Sequence, residues 1–141
     1  MLKPFAALAT LLALSACATN ASYTPRGGPG GAPAQLDLGD WRRANPSATL
    51  SQFSNIVTRR YAAGSPMSEA LRDLRANDFS CTTPPRSTRG EPPAQICRRA
   101  LEANGCTHTW QVHLYGGETL TRPRGLYDRA CGGDGLLGGP T

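Results

Sequence analysis

The chain has 141 residues, a formal charge of +5 and 39% apolar residues. That length holds one small domain with linkers rather than two domains. The modest charge, with no basic and aromatic platform, argues against a nucleic-acid partner.

The first element is an apolar run from Phe5 to Leu14, preceded by Lys3. It has the length of an export-signal h-region and is too short to span a bilayer as a helix. Leu14-Ser15-Ala16-Cys17 then resembles the lipobox of bacterial lipoproteins. The resemblance implies cleavage before Cys17 and lipid on its thiol and new amino group. One acyl chain gives only reversible binding, at about 0.8 kcal/mol per buried methylene. The three chains of the lipoprotein class would anchor the protein to a membrane without a transmembrane helix. Ala18 and Thr19 follow the cysteine where the class uses Asp for inner-membrane retention, which implies an outer-membrane protein facing the periplasm. The alternative is an ordinary secretory signal, but an A-x-A-like site is poor here.

Residues 18 to 40 carry Pro25, Gly27-Gly28-Pro29-Gly30-Gly31 and Pro33, and read as a flexible tether. Coil of that length reaches roughly 25–30 Å. Asn45-Pro46 starts a helix, with Asn45 as N-cap and Pro46 at the first helical position. Leu50, Phe53, Ile56, Val57 and Tyr61 form its apolar stripe. Gly64 stops it. Ser65-Pro66 restarts a helix by the same logic, with Met67, Ala70, Leu71 and Leu74 inward, Glu69 in the first turn and Asn77 as left-handed terminator. The stripes read as core.

From Phe79 the period changes to two, and Phe79 and Cys81 share one face of a short strand. The loop from Pro84 to Pro93 cannot be a central strand. Gln95 to Leu101 can be one. Asn104-Gly105 is a strong hairpin signal. A two-residue turn there pairs Leu101 with His108, Arg99 with Trp110 and Cys97 with Val112, all on one face with Cys106. Thr109, Gln111 and His113 take the other face. Trp110 is thus a core anchor and His113 is solvated. Tyr115-Gly116-Gly117 ends this strand, and a last strand runs near Gly125 to Cys131. The Gly-rich residues 132 to 141 read as a fraying tail.

Five cysteines divide as one plus four. With Cys17 on lipid, Cys81, Cys97, Cys106 and Cys131 remain in an oxidising compartment. Their spacings of 16, 9 and 25 do not suit a metal site, which wants close C-x2-4-C pairs. The hairpin register sets Cys97 and Cys106 about three same-face pairs apart, beyond disulfide reach. The favoured pairs are therefore Cys81–Cys97 and Cys106–Cys131. The expected domain plan is a signal at 1–16, lipidated cysteine and tether at 17–44, one disulfide-stapled domain at 45–131 and a tail at 132–141. The expected fold is α+β: a helical hairpin packed on a small antiparallel sheet of three to four strands. This order of elements, with the lipobox, resembles the small envelope lipoproteins of the BamE type. Gly64-Ser65-Pro66-Met67-Ser68-Glu69-Ala70 is similar to their "G-x-[ST]-x-x-E-[VA]" helix start. The chain departs from them in its four domain cysteines and in lacking the L-G-x-P that usually follows. The resemblance implies a helical pair on a three-stranded sheet and a role in outer-membrane protein assembly.

No catalytic constellation stands out. There is no G-x-S-x-G, and four thiols are taken by disulfides. His108 and His113 fall on opposite strand faces and read as surface or strand-end residues. Glu102 and Glu118 lie far apart along the hairpin, so no glycosidase-like pair forms. The glycine runs lack a following Lys-Ser/Thr, so no phosphate loop and no cofactor are implied. Lys3 is the only lysine. An all-arginine domain has a bland source in GC-rich coding. Its functional reading is contact with lipid headgroups or lipopolysaccharide phosphates, which arginine grips bidentately. The expected role is a non-catalytic binding or structural module of the envelope, its partner a protein, peptidoglycan or lipopolysaccharide. Such a module predicts converging arginines or an exposed apolar patch. The alternative is an inhibitor presenting the loop Pro84 to Pro93, or an enzyme with His108, His113 or a carboxylate in a pocket.

Overall fold

The computed structural model describes residues 34–86 and 89–132. The signal, Cys17, most of the tether and all of the tail beyond Gly132 lie outside the described residues. The elements are α1 (Pro46–Arg60), α2 (Met67–Ala76), β1 (Ser80–Thr82), β2 (Gln95–Ala103), β3 (Cys106–Gly116) and β4 (Leu120–Cys131). The strands form one antiparallel sheet in chain order, so the fold is α+β with both helices on a four-stranded meander.

Asn45 caps α1 as its sequence demands. Its backbone is extended and its Oδ1 accepts the Ala48 N–H at 2.8 Å, while Pro46 sits where a missing N–H costs nothing. Thr49, Phe53, Val57 and Tyr61 point inward, and Leu50 and Ile56 flank them half-buried. The start of α2 departs from expectation. Pro66 is the cap residue, not the first helical one, and Ser65 makes no side-chain cap. The reason is tertiary: Ser65-Pro66 bridges the turn before β4. Gly64 N–H donates to the Leu120 carbonyl at 2.7 Å, Leu120 N–H to the Ser65 carbonyl, and Met67 N–H to the Glu118 carbonyl, both at 2.8 Å. The left-handed terminator also moves one residue on. Asn77 has φ −101° and Asp78 has φ 64°. Asn77 is buried and its amide is engaged, so exposed Asp78 takes the left-handed turn that Asp tolerates.

The hairpin register is the expected one. Asn104 and Gly105 both have positive φ, as a type I′ turn requires, and Arg99 pairs with Trp110 and Cys97 with Val112. Ala103 and Cys106 flank a two-residue turn and so form a hydrogen-bonded pair. The alternation carried outward makes Cys81 opposite Cys97, and Cys106 opposite Cys131, non-hydrogen-bonded pairs, where Cα atoms come closest. Both disulfides close there, each with Cα atoms 3.9 Å apart.

β4 begins at Leu120, five residues before Gly125. Pro123 and Gly125 argue against a strand in sequence. In the fold each has a place: β4 is an edge strand, where Pro is tolerated, and Gly125 lies directly under α1. A Cβ on Gly125 would stand 3.0 Å from Val57 Cγ2 and 3.1 Å from Ser54 Cα. α1 covers β4, α2 lies by β1, and the core fills between them around Phe53, Val57, Leu74, Trp110, Val112 and Leu114.

The segment 34–44, expected as tether, instead packs on the domain. Leu36 is buried, and Leu38 and Trp41 pack against the core. Asn77 Oδ1 accepts the Leu36 N–H at 2.7 Å, and the Trp110 indole N–H donates to the Leu38 carbonyl at 3.1 Å. Arg60 donates to the Ala34 and Gln35 carbonyls. Three apolar side chains and these bonds outweigh the local Gly and Asp content, so the strap belongs to the domain.

Candidate binding surface

The meander has two unlike faces. Its inner face carries Cys97, Trp110, Val112, Leu114 and Tyr127 into the core. Its outer face has no helix on it among the described residues. The register sets that face in rows: Arg98, Gln111 and Leu126 in one; Ile96, His113 and Arg124 in the next; Tyr115 and Arg122 in a third. Arg98, Arg122 and Arg124 are exposed, and Gln111 and His113 are half-buried between them. The Arg122 guanidinium lies 4.1 Å over the Tyr115 ring, which holds its charge at the surface.

His113 Nε2 lies 3.0 Å from Gln111 Oε1. An amide oxygen only accepts, so the imidazole hydrogen sits on Nε2. Burial and the nearby charge of Arg124 both push the His113 pKa below the usual imidazole range. The ring is therefore neutral at pH 7, and the cationic character of this face comes from its arginines. Exposed arginine forks in three successive rows, with the Gln111 amide among them, suit anionic or hydrogen-bonding ligands.

His108 corrects an expectation. It shares a face with Cys106 as the register requires, yet it is 5% exposed rather than a surface residue. Trp41 closes over it with ring centroids 4.6 Å apart, and its Nδ1 lies 2.7 Å from Tyr127 Oη. Trp41 also meets Trp110 edge-on at 5.4 Å, and the Arg42 guanidinium covers its outer side at 4.5 Å. Burial keeps the Tyr127 phenol above the usual tyrosine range, so it stays neutral and able to donate or accept. His113 stands on the opposite, outer face, so the two histidines do not come together. Glu102 accepts from Thr107 Oγ1 at 2.7 Å and is remote from the Glu118 turn. Among the described residues no three His, Cys, Asp or Glu side chains come together.

Sequence reasoning missed a second polar cluster. Arg60 makes a two-pronged bond to Asp73, with Nε to Oδ2 at 2.7 Å and a terminal nitrogen to Oδ1 at 2.8 Å. The Tyr61 hydroxyl donates to Asp73 Oδ2 at 2.6 Å. Burial acts to raise the Asp73 pKa, but the hydrogen bonds of Arg60 and Tyr61 outweigh it and hold the carboxyl below the usual range. Burial and the Asp73 carboxylate drive Tyr61 above the tyrosine range. Arg60 also grips the strap, so one guanidinium ties α1, α2 and residues 34–35 together. No local pattern announces such a cluster, because its members come from three elements. Trp41 did leave a signal: Leu36, Leu38 and Trp41 are large apolar residues in an otherwise polar stretch.

No family model matches the chain, and no curated protein or solved structure matches it.

Proposed function

We propose that this chain is a lipid-anchored, periplasm-facing protein of the outer membrane that acts as a non-catalytic binding module, and that the outer face of its sheet is what it presents. The observation that carries the reading is the partition of its cysteines. Four close two disulfides inside the domain, as suits an oxidising compartment, and the fifth stands in the lipobox-like Leu14-Ser15-Ala16-Cys17. The order of two helices and then an antiparallel sheet is in keeping with the BamE-type resemblance, while the fourth strand and the disulfides depart from it. The non-catalytic reading draws on His108, which is packed among Trp41, Trp110 and Tyr127, and on thiols held in disulfides. The exposed Arg98, Arg122 and Arg124 on the open face support the reading of a binding module.

Fractionation tests the anchor. The full chain sediments with membranes, and Cys17→Ala releases it to the periplasm; a Cys17→Ala protein that stays membrane-bound contradicts the reading. A photo-crosslinking residue tests the face. At Gln111 it captures an envelope component, and at Arg72, exposed on α2, it does not. Equal capture at both positions counts against the sheet face.

A further inference from the structure

β4 is the long free edge of the sheet among the described residues. Carrying the alternation of hydrogen-bonded pairs from the Asn104-Gly105 turn across β3 aims the backbone groups of Pro123, Gly125, Tyr127 and Arg129 away from β3. No backbone partner takes the N–H groups of Gly125, Tyr127 or Arg129 among the described residues. A groove runs along this edge between Ser47, Ser51 and Ser54 of α1 and Arg124-Gly125-Leu126 of β4. Its α1 wall is completed by Leu50 and Asn55, and the groove meets the edge at Arg124 to Leu126.

The sequence of the edge says which strand fits. On the outer face β4 reads Arg124, Leu126, Asp128, with a cation and an anion placed symmetrically about an apolar residue. Arg124 and Asp128 are both exposed, and neither forms a salt bridge among the described residues. We propose that two copies of this chain join edge to edge through antiparallel β4 strands, with the two-fold axis at Leu126. Arg124 of each copy then faces Asp128 of the other, Leu126 meets Leu126, and Gly125 exchanges backbone bonds with Tyr127. Opposite charges directly across an antiparallel pair stabilise it, and like charges destabilise it. The neighbouring registers are poorer. An axis at Gly125 faces Asp128 with Arg122, but it sets Arg124 against Leu126 and puts Pro123, which has no N–H to give, in the first hydrogen-bonded pair beyond the axis; with the axis at Leu126, Pro123 falls in the second such pair, against Arg129. An axis at Tyr127 sets Asp128 against Leu126 and Arg124 against Ala130. Pro123 and the charges thus guard the edge against indiscriminate pairing and favour the Leu126 register, which alone joins the Arg124–Asp128 pairs to a Leu126 pair. The product is an eight-stranded sheet that doubles the outer face, and the pairing holds whether or not that face is the binding surface proposed above.

Cysteine crosslinking of the full chain in a bacterial host tests this. In the proposed register the two Leu126 positions form a non-hydrogen-bonded pair, with Cα atoms about 4.5 Å apart. Leu126→Cys then gives a covalent dimer on a non-reducing gel. Arg124→Cys does not, because its partner copy lies four residues further along the ladder, roughly 13 Å away. Arg124→Asp added to Leu126→Cys lowers the dimer yield about tenfold by setting two aspartates face to face. Arg124→Asp with Asp128→Arg restores it, since exchanging the charges rebuilds both pairs. The native disulfides are checked in each variant, so loss of folding is seen separately. A folded Leu126→Cys protein that stays monomeric overturns the proposal. Equal crosslinking at Arg124→Cys and a charge exchange that fails to restore dimer each do so as well.

Discussion

Thr49 is fully buried on α1, and its hydroxyl finds no hydrogen-bond partner among the described residues. A buried hydroxyl left unpaired carries a desolvation cost of about 1–3 kcal/mol. Thr49→Val keeps the shape and removes that group. We expect it to raise stability by about 1 kcal/mol, read as a higher thermal midpoint. A lower midpoint would show that the hydroxyl is satisfied. Asp73 has the opposite character, since its carboxylate is held by both Arg60 and Tyr61. Its pKa is lower folded than unfolded, so it contributes stability that is present at neutral pH and is lost as pH falls below the usual carboxylate range. Urea melts of wild type and Asp73→Asn should therefore differ most at pH 7 and converge toward pH 3. Tyr61 works at the other end. Its pKa is higher folded than unfolded, so its share is full below about pH 10 and is lost above that. A gap between the two proteins that widens on acidification would contradict the assignment to Asp73.

At the scale of elements, α1 lies tight against β4 at Gly125. Gly125→Ala puts a methyl against Val57 and Ser54 and should cost about 1–3 kcal/mol of stability through overpacking. Val57→Ala makes room at that spot, so the double variant should lose less than the two single losses combined; strict additivity would mean that the two sites do not share this contact. The elements also show what could be read beforehand. Asn45-Pro46 and Asn104-Gly105 act through chemistry confined to a few residues, so α1 and the β2–β3 register followed from the sequence, and the disulfide pairs followed from that register. Ser65-Pro66 misled because a bridge to Thr119 competes with helix capping. Leu120 to Arg124 went unread as strand because Pro123 and Gly125 look like breakers until the edge position and the helix above are known. The strap hid for a similar reason: Leu36, Leu38 and Trp41 have no period, and groups far along the chain fix the segment, among them the Asn77 amide, the Trp110 indole and the Arg60 guanidinium. On the candidate face, the opposite sides of His108 and His113 were legible from the strand period, but the burial of His108 was not, because Trp41 arrives from far along the chain.

For the whole molecule, the two disulfides span sequence separations of 16 and 25 and tie β1 to β2 and β3 to β4. In the chain-entropy account each such closure is worth about 3 kcal/mol. Replacing Cys106 and Cys131 together by serine should remove about that much from a domain whose total is on the order of 5–15 kcal/mol. The urea midpoint should fall accordingly, and an unchanged midpoint would show that β3 and β4 need no staple. The proposed function joins domain and anchor through the cysteines: four close the fold, and the fifth would carry lipid. Intact mass spectrometry of the full chain isolated from a bacterial host tests that account most directly. It should find an N-terminus at Cys17 carrying acyl chains and no free thiol. An unmodified N-terminus at any residue, with Cys17 free or removed, would contradict it.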